Sequence, residues 1–386
     1  MDNSMKFTKW VNGWGLGVAH PPLTEAQWTK DITVRYVLIN SLDAGAVRLK
    51  FTNRFGDEPC ELTHVTVAKS SDGKSGIVPE TVTDVTFGKK LTVVMPPHGD
   101  IESDEIPFEI SAGESLTVSM YFGKFTQMNT GFTYANKYMV RRFAPGDCTR
   151  DAAFDIYNSS YSTAYNFLWS VDFLTTPDSF SIAAYGDSIT SQEWVDIFAH
   201  KLIENGLRNR AIVRRAVSGS RIFGSYPALS YYHYGEDGKT RFEREVLHNG
   251  VEGVIILHGI NDIIHPDGIN PMRPMSNMPS PEKLAEGLSW YVSTAKKYGL
   301  RTYLGTILPI EGWRTYDIPR DDIRIAANEW IRSQKLSDGV IDFERAVRDA
   351  QNPRAFAPEC NSGDSLHPSL EGYRRMAECV PISIFE

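Results

Sequence analysis

Residues 180–190 have the sequence FSIAAYGDSIT, and this stretch decides how the second half of the chain folds. The apolar run 180–185 predicts a buried strand that stops at Gly186, and residues 191–204 have the apolar spacing of an amphipathic helix. Ser188 therefore falls on a strand-to-helix turn, where its hydroxyl can project from the sheet and free helix N–H groups favour negative charge. This position suits a nucleophile for acyl transfer. The alternative is that Asp187, Ser188 and Thr190 simply cap the helix, as these residue types often do.

The same alternation of strand and helix continues to the end of the chain. The next predicted strands are apolar between turns, and they lie at 211–213, 253–257, 301–308 and 340–343. Helices are predicted at 241–247, 284–295, 321–334 and 370–379. Such alternation predicts an α/β domain with a parallel sheet covered on both faces, in which ligands collect at the carboxyl ends of the strands.

The N-terminal half has a different pattern, in which short period-two segments are separated by turns. These segments lie at 33–39, 46–52, 62–68, 91–95, 106–110 and 115–122. Their spacing predicts an all-β sandwich of the jelly-roll type. Because 386 residues exceed what one hydrophobic core usually organises, we predict two domains, 1–178 and 179–386, with a linker at about 174–179.

Composition and charge exclude several classes of protein. The chain is 41% hydrophobic and 23% charged, as is typical of a globular protein. Its net charge of -8 and the lack of a Lys/Arg block argue against a nucleic-acid partner. No window approaches the roughly twenty apolar residues that cross a bilayer, and residues 1–7 lack the apolar core of a signal peptide. We therefore expect no membrane partner and a cytoplasmic location, unless a leader has been removed.

The four cysteines, Cys60, Cys148, Cys360 and Cys379, form no C-x-x-C pair, and we expect reduced thiols. A bridge between Cys360 and Cys379 is the alternative. His258 and His265 have no Cys or carboxylate at ligand spacing, so no metal site is predicted.

Loops after the predicted strands carry the residue types that acyl transfer requires. Gly219 could bring a bare backbone N–H to a substrate oxygen, or could simply be a turn glycine. The Asn261 amide could donate to a developing oxyanion, or Asn261 and Asp262 could cap the next helix. His367 is the candidate general base, and Asp364 can bind its other ring nitrogen and fix its tautomer. Since strand ends share one edge of a parallel sheet, we expect these groups to meet the serine there.

Four sequence blocks resemble those of the SGNH (GDSL-type) hydrolase superfamily over residues 180–379. The blocks are Gly186-Asp187-Ser188, Gly219, Gly259-Ile260-Asn261 and Asp364-Ser365-Leu366-His367. More weakly, residues 48–56 and 103–121 are similar to the β-sandwich that precedes the SGNH domain in bacterial acylhydrolases. That group includes acetyl xylan esterase-like proteins, and the layout also resembles carbohydrate esterase family two.

The resemblance implies a flavodoxin-like three-layer domain with Ser188 as nucleophile and Asp364 and His367 completing a triad. It also implies an oxyanion hole made by the N–H groups of Ser188 and Gly219 and the side-chain amide of Asn261. Further candidates for the substrate pocket are Asp187, His258, Tyr226 and Tyr231. Many relatives have a carboxylate at the position of His258. If this histidine is neutral and buried, a packing role is favoured over a role in the pocket.

The expected reaction is ester hydrolysis through an acyl-enzyme, without a cofactor. The loop at 226–234 mixes tyrosines with polar residues, which favours a carbohydrate or aryl ester with a small acyl group over a long acyl chain. We expect acetylated xylo-oligosaccharides as substrates. One alternative is a lysophospholipase or a broad arylesterase that uses the same site. Self-association through sheet edges is compatible with the sequence.

Another alternative is a carbohydrate-binding protein that acts through the sandwich domain. It would use the aromatic residues that are frequent between 131 and 174, namely Phe132, Tyr134, Tyr138, Tyr157, Tyr161, Tyr165 and Trp169. Large aromatic side chains mostly bury themselves, which favours a core role for these residues over a sugar-binding platform.

Overall fold

The computed structural model describes residues 6–22, 28–132, 138–155, 160–161 and 164–386. Residues 1–5 and the candidate platform residues Tyr134 and Tyr157 lie outside this range. The side chain of Tyr161 is likewise not described.

Contacts divide the chain into two compact units. The first consists of Met1–Ser181 and Ala199–Val213, and the second consists of Ile182–Phe198 and Arg214–Glu386. The first unit therefore includes a segment that lies beyond the predicted boundary at 178–179.

The first unit is built from antiparallel strands. In chain order they are β1 (Lys9–Gly15), β2 (Trp28–Thr29), β3 (Ile32–Leu38), β4 (Ala44–Thr52), β5 (Cys60–Leu62), β6 (His64–Lys69), β7 (Thr83–Asp84), β8 (Val93–Met95), β9 (Asp100–Glu102), β10 (Ile106–Ile110), β11 (Leu116–Phe122), β12 (Thr126–Gln127), β13 (Gly131–Phe132), β14 (Val140–Pro145), β15 (Ser160–Tyr161), β16 (Tyr165–Asn166) and β17 (Leu168–Thr175). One sheet has the order β1-β17-β4-β10, with β9 also paired to β4, and a second has the order β15-β14-β3-β11-β6-β7.

Both sheets contribute to one hydrophobic core. Leu49 of β4 lies opposite Val171 of β17, and Tyr36 of β3 lies opposite Val118 of β11; all four side chains are fully buried. Strand β10 alternates buried and exposed residues, as expected for a strand with one face toward a core. The predicted antiparallel region is thus confirmed, while its jelly-roll connectivity stays a prediction.

The second half of the chain alternates strands and helices. In order these are β18 (Phe180–Gly186), α1 (Trp194–Glu204), β19 (Arg210–Ala216), α2 (Gly238–Val246), β20 (Val251–Leu257), α3 (Ile260–Ile264), α4 (Pro281–Lys297), β21 (Arg301–Gly305), α5 (Ile318–Ser333), β22 (Gly339–Ile341), α6 (Phe343–Val347) and α7 (Leu370–Cys379). Side chains cap several helices, since Ser280 accepts from Lys283 N–H at the start of α4 and Ser369 accepts from Gly372 N–H at the start of α7.

The sheet of this half has the strand order β19-β18-β20-β21-β22. Strands β20, β21 and β22 run parallel, with Ile255 opposite Tyr303 and Leu304 opposite Val340. This order, 2-1-3-4-5 counting from β18, is the flavodoxin-like order, in which the direction of winding switches between the first and third strands. The loops after β18 and β20 therefore meet at the crevice where ligands bind in such sheets.

The structure also bears on the predicted linker, on two of the cysteines and on membrane-spanning helices. Leu174 and Thr175 belong to strand β17, so the connection to β18 shortens to residues 176–179. Cys360 and Cys379 form no disulfide with each other. Within the described residues, no helix has both the length and the apolar character needed to cross a membrane.

The aromatic residues between 131 and 174 are mostly buried where they are described. Phe132, Tyr165 and Trp169 are 3%, 1% and 6% exposed. Tyr36 packs on Tyr165 with ring centroids 4.4 Å apart. These three side chains therefore have the core role that the sequence favoured.

Candidate active site

The turn after strand β18 carries Ser188. Gly186 ends the strand so close to the backbone of β20 that a Cβ would overlap a carbonyl oxygen there. Asp187 then holds the turn, because its carboxylate accepts from Ile189 N–H at 3.1 Å and its carbonyl accepts from Ser191 N–H at 2.9 Å. Helix α1 begins only after this turn. The capping alternative therefore does not apply to Ser188, whose hydroxyl has a different partner.

That partner is His367, which lies in the turn before helix α7. Its Nε2 is 2.9 Å from Ser188 Oγ, and its Nδ1 is 2.6 Å from Asp364 Oδ2. The other oxygen of Asp364 accepts from the backbone N–H groups of Leu366, at 2.9 Å, and His367, at 2.8 Å. One carboxylate thus fixes both the turn and the imidazole ring. The structure brings together the three residues that the sequence proposed as a triad.

The negative charge on Asp364 decides which group donates and which accepts in the hydrogen bonds from Asp364 to Ser188. Partial burial alone would raise the pKa of the carboxyl, but hydrogen bonds from the His367 ring and from the two backbone N–H groups hold it well below its usual range. Asp364 is therefore ionised at neutral pH and accepts from His367 Nδ1–H. This arrangement leaves a lone pair on Nε2, which can accept the proton of Ser188 Oγ.

Gly219 and Asn261 lie on the neighbouring loops. Gly219 has a φ of +78° and packs against the ring of Tyr234 so closely that a Cβ would overlap the ring. The side-chain amide of Asn261 donates to the carbonyl of Ser220 at 3.0 Å and is 2% exposed. Among the described residues, no atom accepts a hydrogen bond from the backbone N–H of Gly219 or of the serine nucleophile candidate. These N–H groups are thus available to a ligand.

Two buried carboxyl groups support the same loops. Burial raises the pKa of Asp187 and of Asp262 to about 7 in each case. Asp262 accepts from the backbone N–H groups of Ile222, at 2.8 Å, and Phe223, at 3.3 Å. Asp187 is 1% exposed, so its carboxyl is enclosed by protein and serves the turn that it caps. Its predicted place in the substrate pocket is not supported by this burial.

His258 is buried behind the loops and has partners at both ring nitrogens. Its Nε2 lies 3.1 Å from the carbonyl of Ser220, and its Nδ1 lies 3.0 Å from the hydroxyl of Tyr291. Burial, and then the positive charge of Arg241, lowers the pKa of His258 to about 3, so the ring is neutral. The side chain is 1% exposed. This placement agrees with the packing interpretation rather than the pocket interpretation.

Tyr226 and Tyr231 belong to an aromatic cluster with Tyr234 and His265. Tyr226 is 5.1 Å from Tyr231 and 5.4 Å from Tyr234 between ring centroids, and its hydroxyl hydrogen-bonds with His265 Nδ1. The guanidinium of Arg221 lies 4.2 Å from the centre of the Tyr226 ring. Because Tyr234 also contacts Gly219, the cluster borders one of the candidate oxyanion donors.

Among the residues that the structure describes, no group of three or more His, Cys, Asp or Glu side chains is arranged to hold a metal ion. The groups at the site are a hydroxyl, an imidazole, a carboxylate and N–H donors. This donor set provides what acyl transfer needs. The expectation that no cofactor is required stays a prediction.

Comparison with known families identifies the second half of the chain. The sequence profile of the GDSL-like lipase/acylhydrolase family matches residues 181–375, which is half of the chain. The chain belongs to this family. The match includes Ser188, Asp364 and His367. No curated protein sequence matches the chain.

Solved structures similar to this family member cover about half of it. A GDSL-like lipase from Bacteroides thetaiotaomicron is 19% identical with a TM-score of 0.35, over 53% of this chain and 87% of that one. An acetyl xylan esterase, AlAXEase, is 19% identical with a TM-score of 0.40, over 52% and 97%. An acetylxylan esterase from Geobacillus stearothermophilus is 18% identical with a TM-score of 0.40, over 52% and 91%.

Buried polar residues of this GDSL-like domain lie behind the site, and the sequence did not predict them. Arg241 donates to Ser220 Oγ at 3.0 Å and to the carbonyl of Gly186 at 2.6 Å. Arg241 is fully buried beside Glu245, its partner one helical turn later. The i,i+4 spacing of these two residues was a usable signal for an ion pair, but nothing in the sequence indicated that helix α2 would bury it.

Proposed function

We propose that the protein is a serine esterase that removes short acyl groups, above all acetyl, from carbohydrate esters such as acetylated xylo-oligosaccharides. The observation that carries this proposal is the hydrogen-bonded series Ser188–His367–Asp364, with 2.9 Å and 2.6 Å between its members. A serine hydroxyl gains nucleophilicity when a base is in hydrogen-bond reach and the base is oriented by a third group.

In the proposed reaction, Ser188 Oγ attacks the ester carbonyl while His367 Nε2 takes the hydroxyl proton. The carbonyl oxygen becomes an oxyanion, which the N–H groups of Ser188 and Gly219 and the amide of Asn261 stabilise. His367 returns the proton to the leaving alcohol, and an acyl-enzyme remains. Water then attacks the acyl carbon, with His367 again as base, and releases the acid and free Ser188. Asp364 stays ionised and stabilises the imidazolium.

The proposed preference for short acyl groups is supported by the residues beside Gly219. Tyr234 packs on this glycine, and Tyr226, Tyr231 and His265 pack on Tyr234. We expect these packed rings beside Gly219 to favour a short acyl group over a long acyl chain. Aromatic faces also suit contact with sugar rings.

The substrate is tested by comparing esters of different acyl length and by measuring acetate release from acetylated xylo-oligosaccharides. We expect higher kcat/KM for p-nitrophenyl acetate than for p-nitrophenyl octanoate, and acetate release from the oligosaccharides. A preference for octanoate would contradict the short-acyl proposal and favour a lysophospholipase. Rapid cleavage of aryl esters without release of acetate from sugars would favour a broad arylesterase.

The enzyme proposal itself is tested with Ser188→Ala, which we expect to abolish ester cleavage. A matched control is Ser181→Ala on the same strand, because the buried Ser181 hydroxyl has no hydrogen-bond partner within the described residues. The control should retain the activity of the unchanged protein. If Ser188→Ala binds xylo-oligosaccharides as the unchanged protein does and neither cleaves esters, the chain is a carbohydrate-binding protein instead.

A further inference from the structure

The carbonyl oxygen of Ser220 accepts hydrogen bonds from two buried side chains. Asn261 Nδ2 lies 3.0 Å from it and His258 Nε2 lies 3.1 Å from it. Ser220 directly follows Gly219, whose N–H is one candidate oxyanion donor, and Asn261 supplies another. The same carbonyl therefore connects two of the three donors in the proposed mechanism.

His258 Nε2 lies 3.1 Å from both the carbonyl oxygen and the hydroxyl of Ser220, and that hydroxyl accepts from Arg241. A hydrogen bond to the carbonyl, which only accepts, requires the hydrogen on Nε2, and we assign His258 this tautomer. The ring is neutral, so Nδ1 has a lone pair and accepts from the hydroxyl of Tyr291 at 3.0 Å. Burial raises the pKa of Tyr291 well above its usual value, which keeps this hydroxyl protonated. In the assigned tautomer Tyr291 donates to Nδ1 and Nε2–H donates to the Ser220 carbonyl.

The orientation of the Asn261 amide follows in turn. A carbonyl partner requires the NH₂ group of the amide, and not its oxygen, to face Ser220. One of its two hydrogens is used in this bond, so the other is left for an oxyanion. Arg241 fixes the same residue from another side by donating to Ser220 Oγ at 3.0 Å.

We propose that His258 is a positioning residue for the oxyanion site, which holds the Ser220 carbonyl so that the Asn261 amide and the Gly219 N–H both face the reacting carbonyl oxygen. This inference rests on the proposed esterase function. His258 does not touch the substrate. Its effect is transmitted through Ser220, and it should appear where negative charge develops, in the transition state rather than in the bound ester.

The kinetic test compares His258→Leu, which removes both ring nitrogens, with His258→Gln, whose amide retains an N–H donor. For p-nitrophenyl acetate we expect His258→Leu to lower kcat about 10- to 100-fold, somewhat less than the full loss of one oxyanion donor. KM should stay within about 2-fold, because the lost interaction belongs to the transition state. His258→Gln should recover most of kcat. The affinity for phenylboronic acid, a tetrahedral mimic, should weaken in His258→Leu in parallel with kcat.

A stability control separates positioning from general damage to the fold. Ile331→Val trims a fully buried side chain of helix α5 that has no place in the site. It should lower Tm while leaving kcat unchanged. The inference is overturned if His258→Leu keeps its kcat, if it raises KM as much as it lowers kcat, or if His258→Gln gives no recovery.

A second variant and an NMR measurement test the role of His258 even if His258→Leu does not fold. If His258→Leu does not fold, Tyr291→Phe replaces it and should lower kcat at constant KM. Nitrogen NMR of the unchanged protein should show His258 as the neutral Nε2–H tautomer at pH 7, and the Nδ1–H tautomer or a charged ring would overturn the inference. Absence of Ser188-dependent hydrolysis in the unchanged protein refutes the esterase proposal instead, and the two failures are thereby distinguished.

Discussion

Asp364 uses its two carboxylate oxygens for different purposes. Oδ1 accepts from two backbone N–H groups of its own turn, and Oδ2 accepts from the ring of His367. The same short segment therefore builds the turn and orients the base. An Asp only three residues before a His can therefore orient the imidazole ring, because both belong to the same turn.

Asp364→Asn separates these two functions. The amide oxygen can still accept from the backbone, but an NH₂ group then faces His367 Nδ1 and favours the tautomer with the hydrogen on Nε2. That tautomer cannot accept the Ser188 proton, so kcat should fall by about 10³- to 10⁴-fold. Tm at pH 7 should also fall, because a carboxylate whose pKa is lowered on folding stabilises the folded state at that pH, and thermal unfolding measures this change. A variant with nearly full activity would contradict the proposed role of Asp364.

The buried imidazole of His265 should make the stability of the folded protein depend on pH. Burial, and then the charges of Arg221 and Arg273, lowers the pKa of His265 to about 3 in the folded protein, against an ordinary value of 6.5. Between these values the unfolded chain binds a proton that the folded chain does not. Stability therefore falls as pH decreases through this window, by up to about 1.4 kcal/mol per pH unit for one such group.

His265→Gln removes this titration while keeping a polar group beside Tyr226. The loss of Tm between pH 6.5 and pH 4 should be smaller in the variant than in the unchanged protein, as measured by calorimetry at several pH values. His258 has a similarly lowered pKa, and Asp187 and Asp262 act in the opposite direction because their pKa values are raised. These groups are present in both proteins and cancel in the comparison. Parallel curves of Tm against pH would contradict the prediction.

The turn after strand β19 depends on the lack of a side chain at Gly219. Its φ of +78° is left-handed, and the Tyr234 ring occupies the space of a Cβ. Gly299, after helix α4, has the same φ of +78°, but a Cβ there would have no atom of the described residues within 4 Å. Substitutions at these two glycines therefore separate the cost of a left-handed backbone from the cost of a clash with a neighbouring side chain.

Gly219→Ala and Gly299→Ala should differ in a defined way. Both variants should lose about 1–2 kcal/mol of folding stability, because alanine must adopt a left-handed conformation. Gly219→Ala must also displace the Tyr234 ring, which should cost about 1–3 kcal/mol more. Only Gly219→Ala should lose activity, by about 10²- to 10³-fold, because its N–H is moved. Urea unfolding and kcat measure the two effects. Equal loss of stability and unchanged kcat in both variants would contradict the role given to Gly219.

Elements with a strong periodic pattern could be predicted from the sequence, and two five-residue helices could not. The predictions for β10 at 106–110 and α7 at 370–379 are confirmed at both ends. Helices α3 and α6, five residues each, are too short to show a 3.6-residue period. Helix α1 was expected from 191 but begins at Trp194, because Asp187 holds the preceding residues in a turn.

The site was predicted at the level of residue types, because one functional group follows each of the strands β18, β19 and β20 at the same edge of the sheet. What could not be predicted is the set of contacts behind it. Ser220, Arg241 and Tyr291 are far apart in the sequence, and their convergence depends on how helices α2 and α4 pack. Buried polar partners of this kind leave no periodic pattern, so only the coordinates identify them.

At the scale of the whole chain, the first unit takes in a segment that sequence reasoning assigned to the second half. Residues 199–213 cluster with Met1–Ser181. Ala211 belongs to the hydrophobic core of the first unit, and Asp43 binds the guanidinium of Arg208 and donates from its backbone N–H to the Arg208 carbonyl at 3.0 Å. Such non-local contacts could not be predicted from period or composition, which describe neighbouring residues only.

The assignment of residues 199–213 to the first unit predicts the behaviour of the fragment 179–386. Cut off at the expected boundary, this fragment keeps the proposed triad but loses every partner of 199–213 in residues 1–178. We expect it to unfold at a clearly lower temperature than the full chain in calorimetry. Arg208→Ala in the full chain serves as a control and should cost less than about 1 kcal/mol, because an exposed ion pair contributes little. A fragment with the Tm and kcat of the full chain would show that the boundary at 178–179 separates two independent domains.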